Sequence, residues 1–264
     1  MIKLYNIERK SEIMNILEKT GSVDVNALAL RFGISKETIR RDLKELENAG
    51  ALKRTHGGAV LIQQSSNTPV STEYPVAVRG IQRFNEKNEI CKKAASFIKD
   101  GDTIFVDNSS TTIYLAKYIP SDIRVTIITN SIKFLLEYTK NPNNNHLLIC
   151  LSGIFNDSNL SVYGNSTLQS ASEYYPNKAL MSCSGISPHN MLADSSIHEV
   201  DTKRMMIERS QEVFVLADHT KFEKAGQIFL SSFDPIDYII TDNQTDKESL
   251  GYLDKTNVKL IFAD

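Results

Sequence analysis

Ser35-Lys36-Glu37-Thr38-Ile39-Arg40-Arg41-Asp42-Leu43, with Phe32-Gly33-Ile34 before it and Arg54-Thr55-His56-Gly57-Gly58-Ala59 after it, decides how the front of this chain is read. Ser35 is a good N-cap, because its hydroxyl can accept from an orphan backbone N–H in the first turn of a helix. The helix it opens runs to about Asn48. At about 100° per residue, Ile39, Leu43 and Leu46 fall on one stripe, Glu37, Arg41 and Lys44 point away from it, and Thr38 and Arg40 flank it. Upstream, residues 7–19 carry Ile7, Ile13, Met14, Ile16 and Leu17 at helical spacing and stop at Gly21. A shorter helix with Val25, Leu28, Ala29 and Phe32 on its buried face ends at Gly33, which suits the left-handed conformation of a tight turn. Beyond Gly50, two short apolar-bearing runs around Gly57-Gly58 predict a small β-hairpin, a wing with Lys53, Arg54 and His56 near its tip or edge.

Three helices, a tight turn and a wing point to a winged helix-turn-helix. In such a unit the second helix of the pair enters the major groove, its N-terminal residues toward base edges. Ser35, Lys36, Glu37, Thr38, Arg40, Arg41 and Lys44 are therefore candidate DNA contacts, with Arg54 and His56 of the wing directed at phosphates or a minor groove. Arginine suits the role, since its planar fork can take guanine O6 and N7 together or grip a phosphate. The alternative is an ordinary solvated basic face on a three-helix domain. A basic helix alone would leave that alternative ahead; the spacing, turn, cap and basic wing together favour DNA. Net charge is only -2, but residues 1–60 hold eleven Lys and Arg against eight Asp and Glu, while the remainder holds nineteen against twenty-four. The basic part is at the front.

The 264 residues, 41% hydrophobic and 23% charged, suffice for two domains with conventional cores. The polar, proline-interrupted segment from residue 63 has no period that could bury a face, so we expect residues 1–62 as a DNA-binding domain, 63–74 as a linker and 75–264 as an α/β domain. Cys91, Cys150 and Cys183 are widely spaced and odd in number, which predicts reduced core residues. The five histidines lack metal-ligand spacing, so neither a metal site nor a cofactor is expected. Charges at Lys3, Glu8, Arg9, Lys10 and Glu12 occupy the place of a signal peptide's apolar stretch, and no long apolar run occurs. The expectation is a cytoplasmic protein with no membrane partner.

After a helix over about residues 85–99, apolar runs at 103–106, 125–129, 147–151, 179–183, 213–217, 238–241 and 258–262 alternate with helical or turn segments, the pattern of a largely parallel sheet. In such sheets ligands bind beyond the carboxyl ends of the strands. The residues there share a character: Asp107-Asn108-Ser109-Ser110-Thr111-Thr112, Asn130-Ser131, Ser152-Gly153, Ser184-Gly185, and Asp218 with Lys221. The first loop offers hydroxyls and backbone N–H groups at a helix start, a combination suited to phosphate. Lys221 adds positive charge; Asp107, Asn108 and Asn130 suit sugar hydroxyls; the small residues would let a ligand approach the backbone. Any one such loop is explained as well by helix capping, but five together favour an anion or polyol site.

The stretch from Ser35 to Leu43, with Gly50 and the Arg54 to Ala59 segment, resembles the signature of DeoR-family transcription regulators, and Val215-Leu216-Ala217-Asp218-His219-Thr220-Lys221-Phe222 resembles their C-terminal sensor domain. The resemblance implies that the third helix is the recognition helix, with Arg40 and Arg41 its DNA-contacting pair. It also implies a back domain similar in fold to ribose-5-phosphate isomerase and to CoA transferases, which binds a phosphorylated sugar and thereby alters operator binding. A homo-oligomer, dimer or tetramer, acting on a carbohydrate-utilisation operon as a repressor is expected on the same grounds. This chain departs from the family where glycine is usual, with Asn108-Ser109, Ser152-Gly153 and Asn190-Met191. Two rival readings are a sugar-phosphate isomerase with an added DNA-binding head, Asp107, Asp218 and Lys221 supplying acid–base chemistry, and a back domain that only oligomerises.

Overall fold

A computed structural model describes residues 5–62, 74–189, 191–224 and 226–263; most of the expected linker, from 63 to 73, and Asn190 lie outside the described residues. The chain divides into two compact units, Met1–Asn85 and Glu86–Asp264.

In the first unit α1 (Asn6–Thr20) ends at Gly21 in the left-handed conformation, and β1 (Ser22–Asp24) leads into α2 (Val25–Phe32). Asp24 caps α2, its Oδ1 accepting from the N–H groups of Asn26 (2.8 Å) and Ala27 (2.9 Å). Gly33, φ 64°, makes the tight turn, and α3 (Lys36–Asn48) follows with Ser35 as the expected N-cap, its hydroxyl accepting from the Thr38 N–H at 3.2 Å. Strands β2 (Leu52–Arg54) and β3 (Gly58–Leu61) form the wing hairpin, and β1 adds to β3 antiparallel, giving the order β1-β3-β2. At Gly58 this pairing is so close that a Cβ would stand 1.9 Å from the Val23 carbonyl oxygen, so only glycine fits. Ile13, Met14, Leu17, Ile39, Leu43, Leu46 and Leu52 are fully buried together. The short α4 (Val76–Ile81) adds Val78 to this same core.

The helix α5 (Phe84–Ala95) begins at the last two residues of the first unit, and in the second it precedes β4 (Thr103–Val106), a 3-10 segment (Thr112–Lys117), β5 (Val125–Thr129), α6 (Ile132–Tyr138) and β6 (His146–Cys150). There follow β7 (Ile154–Asn156), β8 (Ser161–Tyr163), α7 (Asn165–Ser172), β9 (Lys178–Met181), β10 (Gly185–Ser187), β11 (Met191–Asp194) and α8 (Ile197–Arg209). The unit closes with β12 (Glu212–Leu216), β13 (Ile228–Ser231), β14 (Tyr238–Thr241) and β15 (Lys259–Phe262). The seven expected strands make one sheet in the order β15-β14-β12-β9-β4-β5-β6, every neighbouring pair parallel. Parallel strands covered on both faces read as unbroken apolar runs, and Ile104, Phe105 and Val106 of central β4 are all fully buried. The antiparallel sheet β10-β11-β13 and the hairpin β7-β8 are too short to show a period in sequence.

One expectation is corrected. Cys91 and Cys183 are buried free thiols, but Cys150 is exposed, because β6 is the edge strand and turns part of its apolar run outward, with Leu147 59% exposed. Burial pushes the Cys183 thiol up to about 12, which keeps it in the unreactive protonated form.

Candidate DNA-binding surface and ligand site

The buried stripe of α3 sets its outer face. Ile39, Leu43 and Leu46 point into the core, so Lys36, Glu37, Arg40, Arg41 and Lys44 are exposed and Thr38 half-buried. Arg40 lies 3.3 Å from Glu37, a solvent-exposed pair of small energetic weight. Lys36, Arg41 and Lys44 have no intramolecular ion-pair partner among the described residues. Lys53, Arg54 and His56 are exposed on the wing, and the Arg54 backbone N–H donates to Glu47 Oε1 at 2.8 Å, tying the wing to the end of α3.

Sequence reasoning missed what holds this helix. Asp42, 0% exposed, sits within the buried stripe and takes a bidentate grip from Arg9 of α1, Nε to Oδ2 at 2.6 Å and Nη2 to Oδ1 at 3.0 Å. The hydrogen bond to Asp42 outweighs the effect of burial and raises the Arg9 pKa further. A signal was present, because Asp42 stands three residues after Ile39 and four before Leu46, a position that must be buried.

In the back unit the parallel registers, Val106 beside Thr129 and Leu180, and Val215 beside Met181, bring Asp107, Asn130, Ser182 and Asp218 to one carboxyl edge of the sheet. Asp107 is buried and fully engaged. Its Oδ1 accepts from the Ser109 N–H (3.1 Å) and the Thr112 hydroxyl (2.7 Å), and its Oδ2 accepts from the Ser182 N–H (3.0 Å) and faces Lys203 Nζ at 3.4 Å. Ser109 accepts from the Thr112 N–H at 3.2 Å, so it closes its own turn, and Ser131 caps α6 by accepting from the Phe134 N–H at 3.1 Å. The segment after the first loop is a six-residue 3-10 helix, too short for the large dipole a phosphate would use. Thr111 is buried, and its carbonyl accepts from Cys91 Sγ at 3.1 Å.

The positive charges come from elsewhere. Lys87 of α5, buried, donates to the Ser110 hydroxyl at 3.0 Å. Asp218 is buried, which pushes its pKa up, but Lys221, Lys87 and hydrogen bonds from Thr220 outweigh this and hold it below the usual carboxylate value. His219 Nδ1 lies 3.0 Å from Asp242 Oδ1, and that hydrogen bond raises the imidazole pKa against the effect of burial. Behind Asp107, buried Lys203 of α8 donates to Asp194 Oδ2 (2.6 Å) and the Ser182 carbonyl (3.0 Å). Burial lowers the Lys203 pKa, but Asp194, Asp107 and Glu199 more than reverse it, so the lysine stays charged.

Not every expected site residue converges in the same way. Ser152 and Gly153 are exposed beyond edge strand β6; Ser152 donates to the Ser166 carbonyl at 3.1 Å, and a Cβ at Gly153 would meet Thr167 Oγ1 at 2.1 Å. A Cβ at Gly185 would meet the Lys224 carbonyl oxygen at 2.2 Å, and Ser184 Oγ lies 2.9 Å from Ser195 Oγ. At both glycines the close neighbour is the chain itself. In contrast, Asn108 and Asn130, each 1% exposed, keep buried amide atoms without partners: both Nδ2 and Oδ1 of Asn108, and Oδ1 of Asn130. Among the described residues no cluster of His, Cys, Asp or Glu could hold a metal, and no helix is long and apolar enough to cross a membrane.

A helix-turn-helix head with an outward basic face, followed by a parallel α/β domain with polar strand ends, defines a two-domain transcription regulator. Residues 9–65 match the DeoR-like helix-turn-helix domain and residues 82–243 the DeoR C terminal sensor domain. The chain belongs to the DeoR family. It is 36% identical to the uncharacterized regulator YulB of Bacillus subtilis, over 96% of this chain and 95% of the relative. It is 30% identical to the transcriptional repressor GlcR of Bacillus subtilis, over 99% and 98%, and 30% identical to the glycerol-3-phosphate regulon repressor of Escherichia coli, over 89% and 90%. A ribose 5-phosphate isomerase from Methanocaldococcus jannaschii overlaps 53% of this chain and 55% of its own at 16% identity, with a TM-score of 0.40.

Proposed function

We propose that the protein is a cytoplasmic repressor of a carbohydrate-utilisation operon, gripping operator DNA with α3 and the wing and responding to a phosphorylated sugar or related metabolite at the strand ends of its back domain. The observation that carries the DNA half is the outer face of α3, where Arg41, Lys36 and Lys44 stand exposed and unpaired over a helix whose inner face is locked. Phosphate contacts supply much of the affinity and base contacts the sequence choice. One winged helix reads one half-site, so two or more copies, a dimer or tetramer built through the back domain, fit a repeated operator. Two of the named relatives are repressors, one of them of a glycerol-3-phosphate regulon, which supports both the sign of the response and a phosphorylated effector. The effector acts only through unequal affinity for the DNA-bound and free arrangements.

An isomerase reading needs a carboxylate poised over a substrate carbon. Both oxygens of Asp107 are taken up by hydrogen bonds from its own loop and Ser182, which favours binding over proton transfer. Arg41→Ala is expected to lower operator affinity by about 1–3 kcal/mol; a gel-shift titration on the chain's own upstream DNA that leaves affinity unchanged removes Arg41 from the interface. Lys221→Ala is expected to keep DNA binding while weakening the response to sugar phosphates. Calorimetry showing wild-type ligand affinity in that variant would rule out a phosphate contact there.

A further inference from the structure

Asn108 and Asn130 stand at the ends of adjacent strands β4 and β5, whose register pairs Val106 with Thr129. Both side chains are 1% exposed, and three of their four amide atoms have no hydrogen-bond partner. The exception is Asn130 Nδ2, which donates to the Val162 carbonyl at 3.1 Å and so leaves Oδ1 as the free acceptor of that amide. A buried amide atom left unpaired keeps the full cost of its lost hydration, and native proteins rarely hold one without a partner. Apolar residues of similar size would avoid the cost, so the amides are accounted for by what they bind.

The chemistry of that partner follows from the atoms. Two unpaired carbonyl oxygens require donors, which phosphate dianions and carboxylates lack. The unpaired Asn108 Nδ2 requires an acceptor. A hydroxyl is both donor and acceptor, and two hydroxyls on neighbouring carbons match one bidentate amide beside a second carbonyl oxygen. Lys221 lies beside Asp218 after β12, beyond β9 from Asn108 in the strand order, and Lys87, bonded to Ser110 of the Asn108 loop, also acts on Asp218.

We propose that Asn108 and Asn130 form a vicinal-diol subsite, so that the effector lies along the sheet edge with its phosphate toward Lys87 and Lys221 and an unsubstituted diol on the two amides. This rests on the reading of the back domain as a sensor of phosphorylated sugars. It makes the diol the feature by which this chain selects among sugar phosphates.

The test is calorimetry of the full chain with ribose 5-phosphate and 2-deoxyribose 5-phosphate, glycerol 3-phosphate and its diol-free analogue 3-hydroxypropyl phosphate, and inorganic phosphate. The best-bound sugar phosphate should exceed its deoxy analogue by about tenfold or more, the worth of one hydrogen bond. Asn108→Leu should erase that ratio, leave inorganic phosphate affinity within about twofold, and raise the melting temperature of the free protein, since it removes two unpaired polar atoms. If leucine overfills the site, Asn108→Ala should erase the ratio equally. Retained discrimination in a folded Asn108 variant overturns the subsite, as does wild-type binding without preference for the diol; both leave the sensor reading standing. No binding of any phosphate to the wild type overturns both.

Discussion

Replacing Asp42 with alanine is expected to unfold the DNA-binding head while the back domain stays folded. The Arg9 guanidinium would be left buried against α3 without its carboxylate, and breaking a buried pair by deleting one partner costs about 3–5 kcal/mol. For a unit of this size such a loss lowers the melting temperature on the order of ten degrees or more. Amide hydrogen exchange should show residues 6–61 losing protection while residues 103–262 keep theirs, and operator binding should vanish although no base-contacting side chain has changed. The double replacement Arg9→Met with Asp42→Leu separates burial from specific recognition, since swapping both charges for apolar groups of similar shape restores much of the stability. Wild-type protection in Asp42→Ala would mean that the pair does not hold the recognition helix.

Lys203→Met is expected to destabilise the back domain by a similar amount, and with a distinct pH signature. The variant leaves Asp107 and Asp194 facing one another without the ammonium that bridges them. Two close buried carboxylates cannot both be ionised cheaply, so the variant should lose stability as pH rises and recover part of its loss in acid. The wild type should show no such trend from this group. The folded-state pKa of Lys203 is raised, so its contribution is fully present below the ordinary lysine value and is lost only in strong alkali. Denaturant titrations of both proteins from weakly acid to weakly alkaline pH check the sign; a Lys203→Met variant whose deficit does not grow with pH would show that the carboxylates are not coupled through it. Because Asp107 also holds the first loop through Ser109 and Thr112, effector response should fall with stability.

Lys203, Asp42 and Lys87 share a lesson about legibility. Each lies on the apolar stripe of its own helix: Asp42 between Ile39 and Leu46, Lys87 before Ile90 and Ala94, Lys203 between Val200 and Ile207. Periodicity tells that such a charge is buried, and therefore that it has a partner. It does not tell which partner, because Arg9 is 33 residues from Asp42 and only the packing of α1 on α3 joins them. In the same way Lys87 reaches Ser110, at the end of β4, from a helix and not from a strand end.

The local features were written in the chain. Ser35 as a cap, Gly33 as a left-handed turn, the stripe of Ile39, Leu43 and Leu46, and the Gly57-Gly58 wing depend on neighbours a few residues away, so the helix-turn-helix and the outward face of Arg41 are readable from them. The inner sheet strands were equally readable, because a strand covered on both faces must be apolar throughout, and the edge strands β6 and β15 keep apolar runs although they are partly exposed. What tertiary structure alone decided was the use made of each polar group. It turned Ser109 and Ser131 into caps, exposed Ser152 and Cys150 at a sheet edge, engaged Asp107 on every side, and left the Asn108 amide and the Asn130 Oδ1 buried and unpaired. Hydrogen-bond satisfaction is a property of three-dimensional neighbours, which residue type and spacing along a chain do not specify.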